Sequence, residues 1–225
     1  MIKQLILSSL ACLATLALAS AASAASAGII HVAPAGDGWH HDELGTSYDF
    51  FDSASNGIGV YYCFYGTSDT VQKNTGFAQF DLSGIPAGAE ITSATLNIYL
   101  LSCGMSSASN AGTIKHVANA SSANGNASQK LGGTELVATL VDEPLGWVSF
   151  DITDMLASDL SKGYAWSAFS FNYNGSGSSS YRSAGFSFTS AEGGAPAFIA
   201  YNVPEPATLG LLALGAAALL RRRRV

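Results

Sequence analysis

Residues 91–101, ITSATLNIYLL, settle the structural class. From Ala94 to Leu100 the alternation has no fault. Ala94, Leu96, Ile98 and Leu100 fall on one side of an extended chain, and Thr95, Asn97 and Tyr99 on the other. A period of two with one apolar side marks a β-strand that buries one face and wets the other. Just before it, Ile85–Ala89 reads as a turn, and residues 76–81, GFAQFD, as a preceding strand. The same texture continues in both directions. Strands are expected at 58–65, 113–118, 135–141, 147–152, 165–173, 181–188 and 197–202, with Gly, Ser and Asn clusters between them. Only residues 153–161 read as helix, with Thr153 as N-cap, Asp154 in the first turn and Gly163 just past the end. About nine strands, one short helix and no alternating βα units predict an all-β protein, a β-sandwich. Residues 102–134 are loop-rich, and 121–133 are polar.

Both ends of the chain carry addresses. Lys3 precedes an apolar run from Leu5 to Ala19, and small residues follow, including Ala22-Ser23-Ala24 and Ala25-Ser26-Ala27. A basic start, an apolar core and an Ala-x-Ala site make a secretory signal peptide, expected over residues 1–27 with cleavage after Ala27 and Ala24 as the second choice. Cys12 lies inside the apolar run, with Ser9 where a lipoprotein signal would place Leu, so lipidation is not expected. At the other end, Pro204-Glu205-Pro206 precedes an apolar segment, 207–220, and then Arg221, Arg222, Arg223 and Arg224. As a helix the segment spans about 21 Å, short against a hydrocarbon core of about 30 Å. Snorkelling arginines extend its reach, and an arginine cluster stays on the cytoplasmic side. The expected topology is a domain outside and an arginine tail inside.

This tail, residues 204–225, resembles the PEP-CTERM sorting signal, in which a Pro-Glu-Pro motif precedes a short transmembrane helix and a basic cluster. The resemblance implies processing by an exosortase after signal peptidase has acted. It also implies anchorage in the inner membrane before that processing, and a Gram-negative host that makes extracellular polysaccharide.

Between the ends, residues 28–203 are sized for one domain. The whole chain carries ten basic and sixteen acidic residues. Removing both ends takes away Lys3, the four arginines and Glu205, leaving five basic against fifteen acidic and a formal charge near −10. A surface of that sign repels phosphate backbones, so no nucleic-acid partner is expected. The supply of aromatic and β-branched residues argues against a disordered chain. Two cysteines remain, Cys63 and Cys103. In an exported protein they are either a disulfide or two buried thiols.

Three blocks of this domain resemble the DNRLRE (disaggregatase-related) β-sandwich family. The first is Phe80-Asp81-Leu82-Ser83 with Ile85–Ala89 and Ile91–Leu100. The second is Gly146–Leu156, and the third runs from Tyr181-Arg182-Ser183 to Pro196–Ile199. The resemblance implies a jelly-roll-like sandwich and a carbohydrate-binding or structural module of a cell-surface protein. Residues 119–134 depart from the family's pattern, being rich in Ser, Asn and Gly.

Candidate chemistry is sparse. Asp81, Asp151 and Asp154 are explained by turn and helix-start roles. Gly36–Glu43 is the densest polar cluster and reads as a solvated loop; within it Asp37, Asp42 and Glu43 are the oxygen donors a structural calcium would need, without EF-hand spacing. No other cofactor is implied. Sugar binding asks for exposed aromatic rings with polar neighbours, and Trp39, Tyr61, Tyr65, Trp166 and Tyr181 are candidates, each competing with a place in the core. Trp147 lies in the second block and reads as a packing residue. There is no Gly-x-Ser-x-Gly, and His31 and His116 have no Ser or Cys partner in sequence. The expected function is therefore a non-enzymatic, exosortase-sorted component of an exopolysaccharide or biofilm matrix, structural or polysaccharide-binding. The alternative is a small polysaccharide hydrolase or lyase using two of the aspartates.

Overall fold

The computed structural model describes residues 25–43, 46–51, 58–65, 70–86, 88–104, 111–118, 133–174 and 182–204. The part of the expected signal peptide up to residue 24, the apolar helix expected at 207–220, and Glu205, Pro206 and the four arginines lie outside them. Among the described residues, no helix is long and apolar enough to cross a membrane.

Eleven strands are described: β1 (Ala25–Glu43), β2 (Thr46–Phe51), β3 (Ile58–Tyr65), β4 (Thr70–Asp81), β5 (Ser93–Cys103), β6 (Gly112–Val117), β7 (Glu135–Leu140), β8 (Gly146–Asp151), β9 (Trp166–Tyr173), β10 (Arg182–Phe188) and β11 (Phe198–Pro204). They join in the order β2-β1-β11-β5-β10-β3-β4-β9-β6-β7, with β8 on β5 and a further pairing of β1 to β4. That last pairing folds the path back on itself into a β-sandwich-like body. All the pairings are antiparallel, as the alternating sequence requires.

The inner faces are filled by the even-numbered residues of β5, Ala94 to Leu100, and by Phe80, Phe169, Phe171 and Phe188. Phe171 of β9 and Phe188 of β10 meet at a 35° tilt with ring centroids 4.2 Å apart. Period-two burial runs through β5 as expected: Ala94, Leu96, Ile98 and Leu100 are buried while Thr95 and Tyr99 are half-exposed.

The nine expected strands are present with shifted ends, but β1 and β2 were not foreseen. The cause is Ala33-Pro34-Ala35-Gly36, which reads as a break. The structure absorbs it as a register irregularity between Val32 and Asp37, the kind of place a strand tolerates Pro. Before it, residues 25–31 pair with β11. After it, residues 37–43 pair with β4 on one edge and residues 38–43 with β2 on the other. The expected solvated loop at 36–43 is therefore mostly strand.

Helix α1 (Thr153–Ser161) follows β8 directly and forms where expected. Its start differs in detail. The Asp151 carboxylate accepts from the Thr153 N–H at 2.9 Å and from its hydroxyl at 2.6 Å, and that hydroxyl accepts from the Ala94 N–H at 3.0 Å. Asp151 thus holds the first turn, and Thr153 ties it to β5. At the far end Gly163 adopts φ +71°. Its N–H reaches Leu160 O, and the Tyr164 N–H reaches Asp159 O, each at 3.0 Å. This double bond pattern is a Schellman cap, which requires the left-handed residue that glycine supplies.

Of the two alternatives for Cys63 and Cys103, a bridge or two thiols, the structure has no bridge at Cys103. Cys63 pairs with Ser183 and Cys103 with Phe186, on opposite edges of β10. Two interstrand spacings, about 9.6 Å, and a three-residue offset along β10, about 10 Å, put their Cα atoms about 14 Å apart, beyond the roughly 7 Å a disulfide spans. Cys103 carries a free, half-buried thiol. The side chain of Cys63 is outside the described set.

Candidate functional site

The outer face of β8, β5, β11 and the first half of β1 can be read in rows from its register. Trp147 stands opposite Tyr99. The next row is Ser149, Asn97, Phe198 and His31, and the next Asp151, Thr95, Ala200 and Ile29. Ser93, Asn202 and Ala27 complete it.

Trp147 dominates this face. It is 49 % exposed, yet its ring meets two others edge to face: Tyr99 at 5.4 Å and 85°, and Phe198 at 5.2 Å and 67°. Phe198 belongs to the strand on the far side of β5, so the indole reaches across β5. His31 extends the series, 6.0 Å from Phe198. Such tilted contacts suit the ring quadrupoles and hold the indole in place. Beneath it lies Asn97, an outward-pointing residue only 9 % exposed. Its amide NH2 donates to Thr95 O at 3.1 Å, and its carbonyl accepts from the Ser149 hydroxyl at 2.6 Å. A buried amide with its bonds made is a rigid floor. Asn202 donates to the Ser93 hydroxyl at 2.7 Å lower on the same face. The result is a fixed, half-exposed indole beside a strip of hydroxyl and amide groups. At its edge Asp151 is held below the usual carboxylate range, chiefly by the Thr153 hydroxyl and then by the Thr153 N–H, with desolvation opposing weakly.

Of the aromatics nominated from sequence, Trp39 and Trp166 lie elsewhere. Trp39, on the second half of β1, packs partly buried against the main core with its ring 6.1 Å from that of His41. Trp166 packs against Val117 and Ala168 on β6 and β9. The side chains of Tyr61 and Tyr65, and the whole of Tyr181, are outside the described residues. Trp147, expected to pack, is the exposed one. Its parity carried the signal: Trp147, Ser149 and Asp151 alternate with Val148, Phe150 and Ile152, which puts Trp147 on the wet side.

The oxygen donors do not form one calcium site. Asp37 is 1 % exposed, and its carboxylate accepts from the Ala191 N–H at 2.7 Å. Asp42 is exposed, five residues along an unbroken register and so on the opposite face of β1, about 17 Å away. The side chain of Glu43 is outside the described set. Among the described residues, no group of three or more His, Cys, Asp or Glu could hold a metal ion.

One polar pair was missed altogether. His116 on β6 meets Asp159 of α1, Nε2 to Oδ2 at 2.8 Å, with exposures of 3 % and 1 %. Glu135, well exposed, approaches the other ring nitrogen at 3.5 Å. No nucleophile completes this group among the described contacts, and Asp159 is sealed from solvent. It pins the helix to the sheet.

Residues 64–200 match the model of carbohydrate-binding module family 96. Residues 202–224 match the PEP-CTERM protein-sorting motif. None of the curated proteins is similar to the chain.

Proposed function

The chain belongs to carbohydrate-binding module family 96, and we propose that it is an exosortase-sorted surface protein that holds polysaccharide on its Trp147 face without cleaving it. The observation that carries this reading is the indole of Trp147, half-exposed and fixed across β5 over a satisfied Asn97. A sugar ring has an apolar face of C–H groups and a rim of hydroxyls. An immobile aromatic ring beside neutral polar groups complements both, and preformed geometry spares ordering entropy. The three blocks that resemble the DNRLRE family all lie within the matched region and favour the same reading.

The sorting motif supports export, transient anchorage in the inner membrane, and exosortase and signal peptidase as processing partners. Presentation in an exopolysaccharide matrix follows as the role. The rival, a hydrolase or lyase, has less support: Asp159, the buried carboxylate that meets His116 among the described residues, is closed to substrate. The test is incubation of the mature protein, purified as secreted, with the host's own extracellular polysaccharide, while reducing ends are followed in the same tubes. Retention without new reducing ends, lost in Trp147→Ala, is the expected result. New reducing ends would overturn the non-enzymatic reading.

A further inference from the structure

We infer that Ala25, Ser26 and Ala27 latch the sorting motif to the folded domain, so that the place where the signal peptide is cut sets how fast the tail is processed; the inference rests on the exosortase reading of that tail. Its basis is an overlap. The stretch that matches the sorting motif begins at residue 202, while β11 runs on to Pro204. Asn202, Val203 and Pro204 therefore belong to the sheet and to the motif at once, and Pro204 opens Pro204-Glu205-Pro206.

The two edges of β11 hold these residues differently. On the β5 edge the register stops at Asn202, opposite Ser93. Asn202 is well tied there: its carbonyl accepts from the Thr92 N–H at 2.9 Å, and its amide donates to the Ser93 hydroxyl at 2.7 Å. Beyond it, the strand partners among the described residues come from β1 alone, Ser26 for Val203 and Ala25 for Pro204. An enzyme that acts on a chain holds it extended through its main-chain groups, and groups already bonded in a ladder must first be released. Val203, only 8 % exposed, must leave the core as well. These β1 partners are the residues by which the two Ala-x-Ala sites differ. A cut after Ala24 keeps Ala25–Ala27 on the mature chain and the latch closed. A cut after Ala27 removes all three, and the end of β11 then opens back to Asn202 by local fraying, with the rest of the sandwich undisturbed.

The test is a pulse-chase in the host, with its exosortase present. Two chains that run to Val225 are placed behind one foreign signal peptide, one starting at Ala25 and the other at Gly28, and their mature N-termini are confirmed by mass spectrometry. The Gly28 start should lose its tail about tenfold faster. Inserting Gly-Ser-Gly-Ser between Val203 and Pro204 of the Ala25 start keeps the β1 residues and carries the Pro-Glu-Pro motif clear of the sheet; it should raise the rate to the same level. Asp159→Ala in the Ala25 start weakens the fold far from the latch and should leave the rate unchanged. Equal rates for the two starts, or a slower Gly28 start, overturn the latch. If the Gly28 chain does not fold, the insertion decides, and no acceleration by it overturns the latch. Acceleration by Asp159→Ala to the Gly28 rate overturns it too, because overall stability is then the cause. Tails kept by every chain after signal-peptide removal overturn the exosortase reading itself.

Discussion

Asn97 and Trp147 explain each other. An asparagine on the wet side of β5 would ordinarily be solvated, but the indole reaching over from β8 covers it, and its hydrogen bonds to Thr95 and Ser149 satisfy it there. Removing the indole therefore exposes a group that is content in water, so Trp147→Ala should change binding far more than folding. His116 and Asp159 are the opposite case. Both are buried, and neither has water to fall back on. Asp159→Ala leaves the imidazole without its partner and should cost about 2 kcal/mol of stability by urea unfolding, with retention on polysaccharide unchanged at temperatures where the variant stays folded. Alternation in the sequence was enough to put Tyr99 on the wet face, and the same rule applied to Trp147, Ser149 and Asp151 would have put Trp147 beside it. The His116–Asp159 pair had no such signal. It joins residues 43 positions apart, and nothing local to either one names the other.

Among the elements, the helix shows its ends plainly and β1 conceals its length. Gly163 was legible because a left-handed residue after a helix has few substitutes. An added Cβ there would meet nothing within 4 Å, so Gly163→Ala isolates the backbone strain and should cost about 1–2 kcal/mol in thermal or urea unfolding. Asp151 adds a pH dependence whose sign follows from its bonds. Its acidity is raised in the folded state, so it contributes stability above its unfolded pKa, near the usual carboxylate value of about 3.9. That contribution fades as pH falls through its lower folded value. Asp151→Asn mimics the protonated form. The gap in Tm between it and the wild type should be open at pH 7 and close on acidification below that range. A Tm gap that does not vary with pH would show that the charge contributes nothing. β1 was hidden for the converse reason. Pro34 and Gly36 are strong local punctuation, and only a tertiary partnership with both β11 and β4 lets the strand run through them.

For the molecule as a whole, alternation and turn spacing were sufficient for the sandwich class, since each strand reports its own buried face. Which strands neighbour which, and hence where exposed rings meet, depends on long-range pairing that no single segment records. The boundary of the domain is one such matter. β1 begins at Ala25 and β11 ends at Pro204, paired with each other, and the ring of Tyr201 lies directly where a side chain at residue 28 would stand, which fits Gly28. A domain starting at Ala25 should therefore melt at a higher temperature than one starting at Gly28, which forfeits the pairs to Asn202, Val203 and Pro204. Equal melting temperatures would show that those three pairs add nothing.

β11 also runs from the start of the matched sorting motif to the Trp147 face. Pro204 stands at one end, inside the stretch that matches the sorting motif, and Phe198, against Trp147, stands at the other. On the proposed reading, while the tail still anchors the chain, a pull on a bound polymer would pass from the rings to the tail along this single strand, seven residues spanning about 20 Å. Residues 198–204 are bonded to β1 on one edge and residues 198–202 to β5 on the other. Pulling lengthwise loads those two ladders side by side in shear, so they must fail together instead of unzipping one bond at a time. This layout would hold under load like a rivet, with β8 and β5 carrying the rings, β1 and β5 flanking the loaded strand, and the helix outside the line of force.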